Sequence, residues 1–315
     1  MRRHRSRFHK LFTTIAASAA LVGVSRQARA QACCAGTGAI TPARLTALEV
    51  ALVGVQVKGG ASLGSFDGAG RYASSPSGAS ELTFEQDLFG ALRVLKRGQV
   101  ALVVPLVETR RTSQHVAETG GGLGDLNASF RYDFTLAGAS SVIPGIAALA
   151  GITLPTGTPP DAASLGPLAT GATGIGAFQL NVGAAVEQTF GRWRVNLTVI
   201  AAQRTARTFG APPNAIHERL GAQWTTLAAV AYTMPSEITV AVSASYAIEG
   251  DATIDGVDRL GTAHRLPTLT LAGVLPLSDT WRLQGAIYDN PPIGPLGLNQ
   301  PAGAGLLMTA VRSWM

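Results

Sequence analysis

The sequence has few cysteines and few charges, and each shortage excludes a class of protein. Cys33 and Cys34 are the only cysteines in 315 residues, and because they are adjacent they cannot staple distant parts of the chain together. Charged residues make up 14% of the chain and hydrophobic residues 46%, which is an unusual balance for a soluble domain of this size.

Long apolar runs are also missing. The best candidate for a membrane-spanning helix, Val142–Leu154, is broken by Pro144 and Gly151 and falls short of the roughly 20 apolar residues that a helical span needs. If such a hydrophobic chain is exported, two folds remain, a closed barrel in the membrane or an exported β-sandwich.

Basic residues are concentrated at the start of the chain. They include Arg2, Arg3, Arg5, Arg7 and Lys10. An uncharged segment at 11–25 comes next, and then Ala28-Arg29-Ala30. This pattern predicts a secretory signal peptide over residues 1–30, with a basic amphipathic or transmembrane anchor as the alternative. Residues 1–30 contain seven of the 25 Lys and Arg and none of the 19 Asp and Glu, so the rest is nearly neutral and a nucleic-acid partner is not expected.

Alternation of apolar and polar residues dominates the rest of the chain. Within 124–134, Leu126 and Phe130 share one face while Asn127 and Arg131 share the other, a sorting that only a strand achieves. Twelve such stretches predict strands at 45–58, 82–95, 98–109, 124–134, 145–155, 174–189, 192–204, 221–233, 238–247, 265–275, 280–288 and 304–315.

The gaps between these stretches alternate between short and long, as in an up-and-down barrel. We therefore predict an all-β fold, a single antiparallel up-and-down transmembrane β-barrel of about 12 strands. It would span residues 45–315 and follow an N-terminal tail at 31–44, with short turns facing the periplasm and long loops facing the exterior.

Two strand assignments are weaker than the others. In 45–58, Glu49 shares its parity with Val53, so we expect a bulge to reset the phase. The stretch 145–155 is apolar on both faces and could instead be a short buried helix.

Aromatic residues cluster near the predicted strand ends: Tyr132, Phe134, Trp193, Trp224, Tyr232, Tyr246, Trp281, Tyr288 and Trp314. This placement fits the interfacial girdles of a membrane barrel. In a soluble sandwich the same rings would face an inner core.

The polar faces of the strands predict a channel lining of mixed charge sign, which argues against strong ion selectivity. The candidates that would face the lumen are Asp125, Asn127, Ser129, Arg131, Asp133, Gln179, Asn181, Glu187, Arg192, Arg194, Asn196 and Arg282. Many Ala, Gly and Leu residues share these faces, so the pore would be narrow or suited to apolar solutes.

Residues that carry chemistry are sparse. His115, His217 and His264 lie in predicted loops without metal-ligand spacing, so neither a metal, a cofactor nor an enzyme activity is expected. Cys33 and Cys34 could form a strained vicinal disulfide, bond to a partner, hold a ligand or sit in a disordered tail. Acylation of Cys33 as a lipoprotein is a further alternative, although Ala30-Gln31-Ala32 lacks the usual leucine.

Four motifs resemble the outer-membrane transporter family named after the meta-pathway of phenol degradation. They are GLGDLNASFRYDF at 122–134, LPTG at 154–157, VVPLVE at 103–108 and GRWRVNLTV at 191–199, and the resemblance runs from about Thr83 to the C-terminus. It implies an outer-membrane channel of a Gram-negative cell and brings no catalytic residues. One departure is that Met315 follows Trp314, whereas many barrels end on an aromatic residue that the assembly machinery reads.

Two functions remain open from the sequence. The first is an outer-membrane channel or transporter through which small, hydrophobic or aromatic solutes diffuse. The alternative is a non-conducting structural or adhesive barrel, or a surface lipoprotein. The expected partners are outer-membrane lipid, the barrel assembly machinery and a small-molecule solute.

Overall fold

The structure, a computed structural model, describes residues 43–114, 116–140, 142–163, 166–210 and 215–315. The predicted signal peptide, Cys33, Cys34 and His115 lie outside these ranges. Across the described residues, no helix has the length and apolar character needed to cross a membrane.

The described residues form eighteen strands. In chain order they are β1 (Ala51–Phe66), β2 (Tyr72–Ser74), β3 (Ala79–Leu95), β4 (Gly98–Ser113), β5 (Val116–Leu123), β6 (Leu126–Thr135), β7 (Gly145–Leu154), β8 (Gln179–Phe190), β9 (Trp193–Arg204), β10 (Arg207–Phe209), β11 (Ile216–Arg219), β12 (Gln223–Thr233), β13 (Thr239–Glu249), β14 (Ala252–Ile254), β15 (Val257–Arg259), β16 (His264–Pro276), β17 (Trp281–Asp289) and β18 (Pro301–Trp314).

Twelve long strands pair in an antiparallel series that closes on itself. The series runs through β1, β3, β4, β6, β7, β8, β9, β12, β13, β16, β17 and β18, and β18 pairs with β1. The closing ladder extends from Ala51 opposite Trp314 to Ser65 opposite Pro301. The predicted 12-stranded up-and-down barrel is therefore confirmed. The start of β1 and the end of β18 lie at the same end of the barrel.

The two ends of the barrel differ in their connections. We call one end the turn end and the opposite one the loop end. At the turn end, successive strands are joined by short connections at residues 96–97, 136–144, 191–192, 234–238 and 277–280. At the loop end, β5 pairs with β4 and β2 pairs with β1. A separate four-stranded sheet is formed there by β10, β11, β14 and β15.

The barrel is apolar outside and more polar inside, the reverse of a soluble protein. On β1, Val53 and Val55 are exposed while Leu52 and Gln56 are buried. Trp193, Trp224, Trp281 and Trp314 all lie exposed near strand ends. An outer surface of this kind needs hydrocarbon beside it, because water would meet a continuous belt of Val, Leu, Ile and aromatic side chains.

The structure corrects one of the two weaker strand assignments and confirms the other. The bulge expected near Glu49 was wrong, because β1 begins at Ala51 and residues 43–50 leave the barrel wall; the register shift in β1 lies between Ser62 and Gly64. The stretch 145–155 forms β7, which pairs with β6 on one side and β8 on the other. This stretch is apolar on both faces, but it is stable as a strand because the ladders on both sides satisfy its backbone hydrogen-bonding groups.

Several strands run further toward the loop end than the sequence pattern predicts. β1 ends at Phe66, β3 begins at Ala79 and β4 continues to Ser113. Their extra residues include charged ones such as Glu81 and Arg111, which form an ion pair between neighbouring strands. The apolar alternation stops before the hydrogen-bonded ladder does, because a strand beyond the lipid no longer needs an apolar outer face.

Candidate functional site

Residues 43–50, which we call the inner segment, run inside the barrel at the turn end. The amide of Val50 donates to the carbonyl of Trp314, and the amide of Arg93 donates to the carbonyl of Val50, so the segment enters directly from β1. From there it reaches β17 in one direction and β4 and β8 in the other, as the contacts of Glu49, Leu45 and Arg44 show. The inner segment therefore crosses the opening of the barrel.

The near anchor of the inner segment is a buried ion pair between Glu49 and Arg282 of β17. Glu49 is 2% exposed and Arg282 is 1% exposed. The second oxygen of the Glu49 carboxylate accepts the Thr46 amide at 2.7 Å, and the Arg93 guanidinium donates to the Thr46 carbonyl at 2.5 Å and the Glu49 carbonyl at 2.9 Å. The carboxylate thus fixes both the wall contact and the turn of the segment itself.

The far anchor is Arg44, which holds Glu187 of β8 with both guanidinium ends. The two nitrogen–oxygen distances are both 2.6 Å. Glu187 also accepts from Arg131 at 3.2 Å and from Asn196 at 3.1 Å, while Arg131 pairs with Asp133 at 2.8 Å. A buried carboxylate needs such partners because an unpaired charge in a low-dielectric site is costly.

Besides these two anchors, the inner segment packs on the inner wall. Ala43 and Leu45 lie in a buried cluster with Leu52, Phe89, Ala91 and Val311. The amide of Leu45 donates to the side-chain oxygen of Gln99 at 3.2 Å. Apolar packing and a backbone contact therefore support the two ion pairs.

Beyond the inner segment, the barrel encloses a cavity of about 270 Å³. Ala43 and Arg44 form its floor, and its walls come from β4, β6, β7, β8, β9 and β12. The wall mixes apolar side chains, such as Val103, Leu149, Ile200 and Leu227, with amide and hydroxyl groups, such as Asn127, Asn181, Thr198 and Thr225.

The charges at the margins of this cavity are paired. Glu187 lies between Arg44 and Arg131 at the floor. Toward the loop end, Arg204 pairs with Glu249 at 2.6 Å and donates to Gln179 at 2.8 Å and Gln223 at 2.6 Å. The cavity therefore presents mainly neutral dipoles and apolar surface to a molecule inside it.

Loop 155–178, of which the structure describes all but residues 164 and 165, folds against the inner side of the wall at the loop end. Glu118 of β5 accepts the Leu168 amide at 2.7 Å and the Thr170 hydroxyl at 2.9 Å. Arg111, which shares its inward parity on β4 with Gln99, donates to the Leu168 carbonyl at 2.9 Å. Thr170 is buried at 1% exposure, so this loop narrows the mouth of the barrel opposite the inner segment.

Ten of the twelve residues predicted to face the lumen occupy inward positions on the strands: Asn127, Ser129, Arg131, Asp133, Gln179, Asn181, Glu187, Arg194, Asn196 and Arg282. The structure brings Arg131, Asp133, Glu187 and Asn196 into one hydrogen-bonded network. Arg282 lies on β17 and pairs with Glu49 of the inner segment, and Arg194 donates to Thr189 at 3.3 Å.

The other two predicted residues lie elsewhere. Arg192 is exposed in the turn between β8 and β9. Asp125 falls in the break between β5 and β6, where its carboxylate accepts the Gly157 amide at 2.9 Å and the Ile175 amide at 2.6 Å. Asp125 thus holds both ends of loop 155–178, and this contact explains why β8 begins at Gln179 instead of near 174.

Sequence reasoning missed Arg44, Glu49 and Gln99, which hold the inner segment. Glu49 did give a signal, since its parity conflicts with that of the strand after it. A charged residue out of phase just before a strand can mark a chain that leaves the sheet as well as one that bulges.

The two described histidines were predicted in loops, but His217 lies on β11 and His264 begins β16, both at the loop end. The Thr208 hydroxyl is 2.8 Å from His217 Nδ1, and the Asn299 carbonyl is 2.7 Å from His264 Nδ1. A search of the described residues finds no group of three His, Cys, Asp or Glu that could hold a metal ion.

Comparison with solved structures finds outer-membrane β-barrels. An outer membrane channel from Pseudomonas putida F1 aligns with a TM-score of 0.71 over 86% of this chain and 97% of its own, at 16% sequence identity. The two proteins share a fold. The barrel described above is therefore similar to that of an outer-membrane channel.

Other barrels align more loosely. The monoaromatic hydrocarbon channel CymD covers 91% of this chain at 8% identity with a TM-score of 0.44. The β domain of the Bordetella autotransporter BrkA covers 84% at 7% identity with a TM-score of 0.49. No protein-family model matches the chain, and no curated protein matches it in sequence.

Proposed function

We propose that this protein is an outer-membrane channel through which small, hydrophobic or aromatic solutes diffuse. The observation that carries the proposal is the cavity inside a closed, lipid-facing barrel. Its similarity in fold to the Pseudomonas channel is in keeping with this function.

The turn end would face the periplasm and the loop end the exterior, as is usual for such barrels. This orientation places the inner segment at the periplasmic exit and loop 155–178 at the outer entrance. Outer-membrane lipid would surround the exposed belt, and the barrel assembly machinery would insert the chain. Membership of the family named after the phenol meta-pathway belongs to the same proposal.

The cavity wall favours uncharged solutes for a physical reason. An ion would have to leave its hydration shell for a wall where Glu187 and Arg204 already have partners, and an uncompensated charge in such a site is costly. An apolar or aromatic solute gains from contact with Leu149, Ile200 and Leu227, and the amides can still accept or donate one or two hydrogen bonds.

A pair of neighbouring tryptophan substitutions tests the proposal. Thr198 lines the cavity and Leu197 points outward to lipid, so Thr198→Trp should fill the passage while Leu197→Trp leaves it open. We expect Gram-negative cells that express the protein to take up radiolabelled naphthalene faster than cells that lack it. Thr198→Trp should remove that gain, and Leu197→Trp should keep it.

The folding control is gel mobility with and without boiling, which must show a folded barrel for both variants. If wild-type protein brings no gain in uptake, or if the two tryptophan variants behave alike, the proposal is wrong.

One observation favours a second candidate, a non-conducting barrel. The inner segment crosses one end and loop 155–178 narrows the other, so the lumen could be closed in the resting protein. A folded protein that gives neither uptake of naphthalene nor any conductance step in a planar bilayer would support this alternative.

A further inference from the structure

Arg312 stands out on the outer surface of the barrel. It lies on β18 with the outward parity of Leu306 and Met308, which are exposed. Its cross-strand partners are Trp281 on β17 and Val53 on β1. A cation therefore faces outward from an apolar wall.

Two tryptophan rings flank the Arg312 guanidinium. Its central carbon lies 5.8 Å from the centre of the Trp281 ring and 5.1 Å from the centre of the Trp314 ring. Trp281 begins β17 and Trp314 ends β18, so the group sits at the turn end. Cation–π contacts at these distances hold the guanidinium in place without neutralising it.

No carboxylate in the described ranges forms an ion pair with Arg312. Its nearest outward neighbours along and across the strands include Ala310, Leu283 and Val53. An arginine in this position is costly next to hydrocarbon but favourable at the headgroup layer, where its long side chain can reach an anion.

The anion available at that depth is a lipid phosphate. A guanidinium offers two parallel N–H donors that match phosphate oxygens, while indole rings favour the headgroup layer beside it. We propose that Arg312, Trp281 and Trp314 form a binding site for the phosphate of one phospholipid in the leaflet at the turn end. The site depends on the barrel lying in a membrane and is independent of what passes through it.

Native mass spectrometry of the purified protein in detergent tests the site with two probes. Dioleoylphosphatidylglycerol carries the phosphate, and dioleoylglycerol has the same acyl chains without it. We expect the wild-type protein to retain the phospholipid preferentially. Arg312→Gln should weaken its apparent affinity about fivefold, the factor that corresponds to ~1 kcal/mol for one arginine near a membrane surface.

Two further variants make the test specific. Arg110→Gln removes an exposed, outward arginine of β4 near the loop end and should leave phospholipid retention unchanged. Arg312→Lys keeps the charge and should retain part of the affinity.

Equal retention of the two probes by wild-type protein would overturn the proposal even if Arg312→Gln failed to fold. Equal losses in Arg312→Gln and Arg110→Gln would also overturn it, because they would indicate non-specific attraction to total charge.

Discussion

At the scale of single residues, the interior depends on charges that are buried only because each has a partner. Glu49 and Arg282 are among the least exposed side chains in the described chain, and Glu187 is held from two sides by arginines. Ion pairs of this kind add little net stability compared with apolar packing, but removing one partner is expensive. They are better suited to fixing where a segment sits.

Glu49→Gln should therefore destabilise the barrel by about 3 kcal/mol, because it removes the buried carboxylate that contacts the Arg282 guanidinium. The measurement is urea-induced unfolding of the detergent-folded protein, followed by gel mobility. The double variant Glu49→Leu with Arg282→Met removes both charges and should recover most of the loss. An unchanged urea midpoint for Glu49→Gln would show that the pair does not hold the segment.

Individual inward residues could be predicted from alternation because strand parity is a local property. Asn127, Arg131 and Glu187 follow from the pattern of their own strands. Their partners could not be predicted, since Arg44 and Glu187 are 143 residues apart and only the closed sheet brings them together. Arg192 was predicted to face the lumen because it continues the alternation of the strand after it. It lies in a turn, where side chains no longer alternate.

At the scale of elements, the inner segment and loop 155–178 are the two parts that narrow the barrel, one at each end. Neither is a strand, so neither shows the period of two that made the wall readable. Their positions follow from long-range contacts with side chains on the wall, such as Gln99 and Glu118.

Arg44→Ala should loosen the inner segment, because it removes the bidentate contact to Glu187 on the far wall. We expect larger and more variable single-channel conductance in planar bilayers. Arg192→Ala is the matched control, since it removes an exposed arginine at the same end and should behave as wild type. Identical conductance in the two variants would mean that the inner segment does not limit the passage.

Gly120→Ala should displace loop 155–178 from the wall. A methyl group at Gly120 would lie 2.6 Å from the Thr170 hydroxyl oxygen and 2.8 Å from the Gly171 amide nitrogen, whereas at Gly122 the nearest atom is 4.0 Å away. Proteinase K should cut the loop faster in Gly120→Ala than in wild type. Gly122→Ala serves as the control on the same strand, and equal cutting of the two variants would contradict a close fit at Gly120.

At the scale of the whole molecule, two opposite requirements shape the chain. The outer belt must be apolar to meet lipid, and the interior must satisfy the polar groups that alternation places there. The short turns and long loops then give the barrel a direction, because all five short connections lie at one end. The position of the inner segment relative to the cell depends on that direction.

Cysteine labelling in intact cells tests this direction. In a background with Cys33→Ser and Cys34→Ser, one cysteine is introduced at Leu260, which is 87% exposed at the loop end, or at Asp279 in an exposed turn at the other end. If the loop end faces the exterior, a membrane-impermeant maleimide should label Leu260→Cys in intact cells. It should reach Asp279→Cys only after the outer membrane is permeabilised. The reverse pattern would place the inner segment at the outer entrance, where it would meet solutes before they enter the cavity instead of controlling their exit.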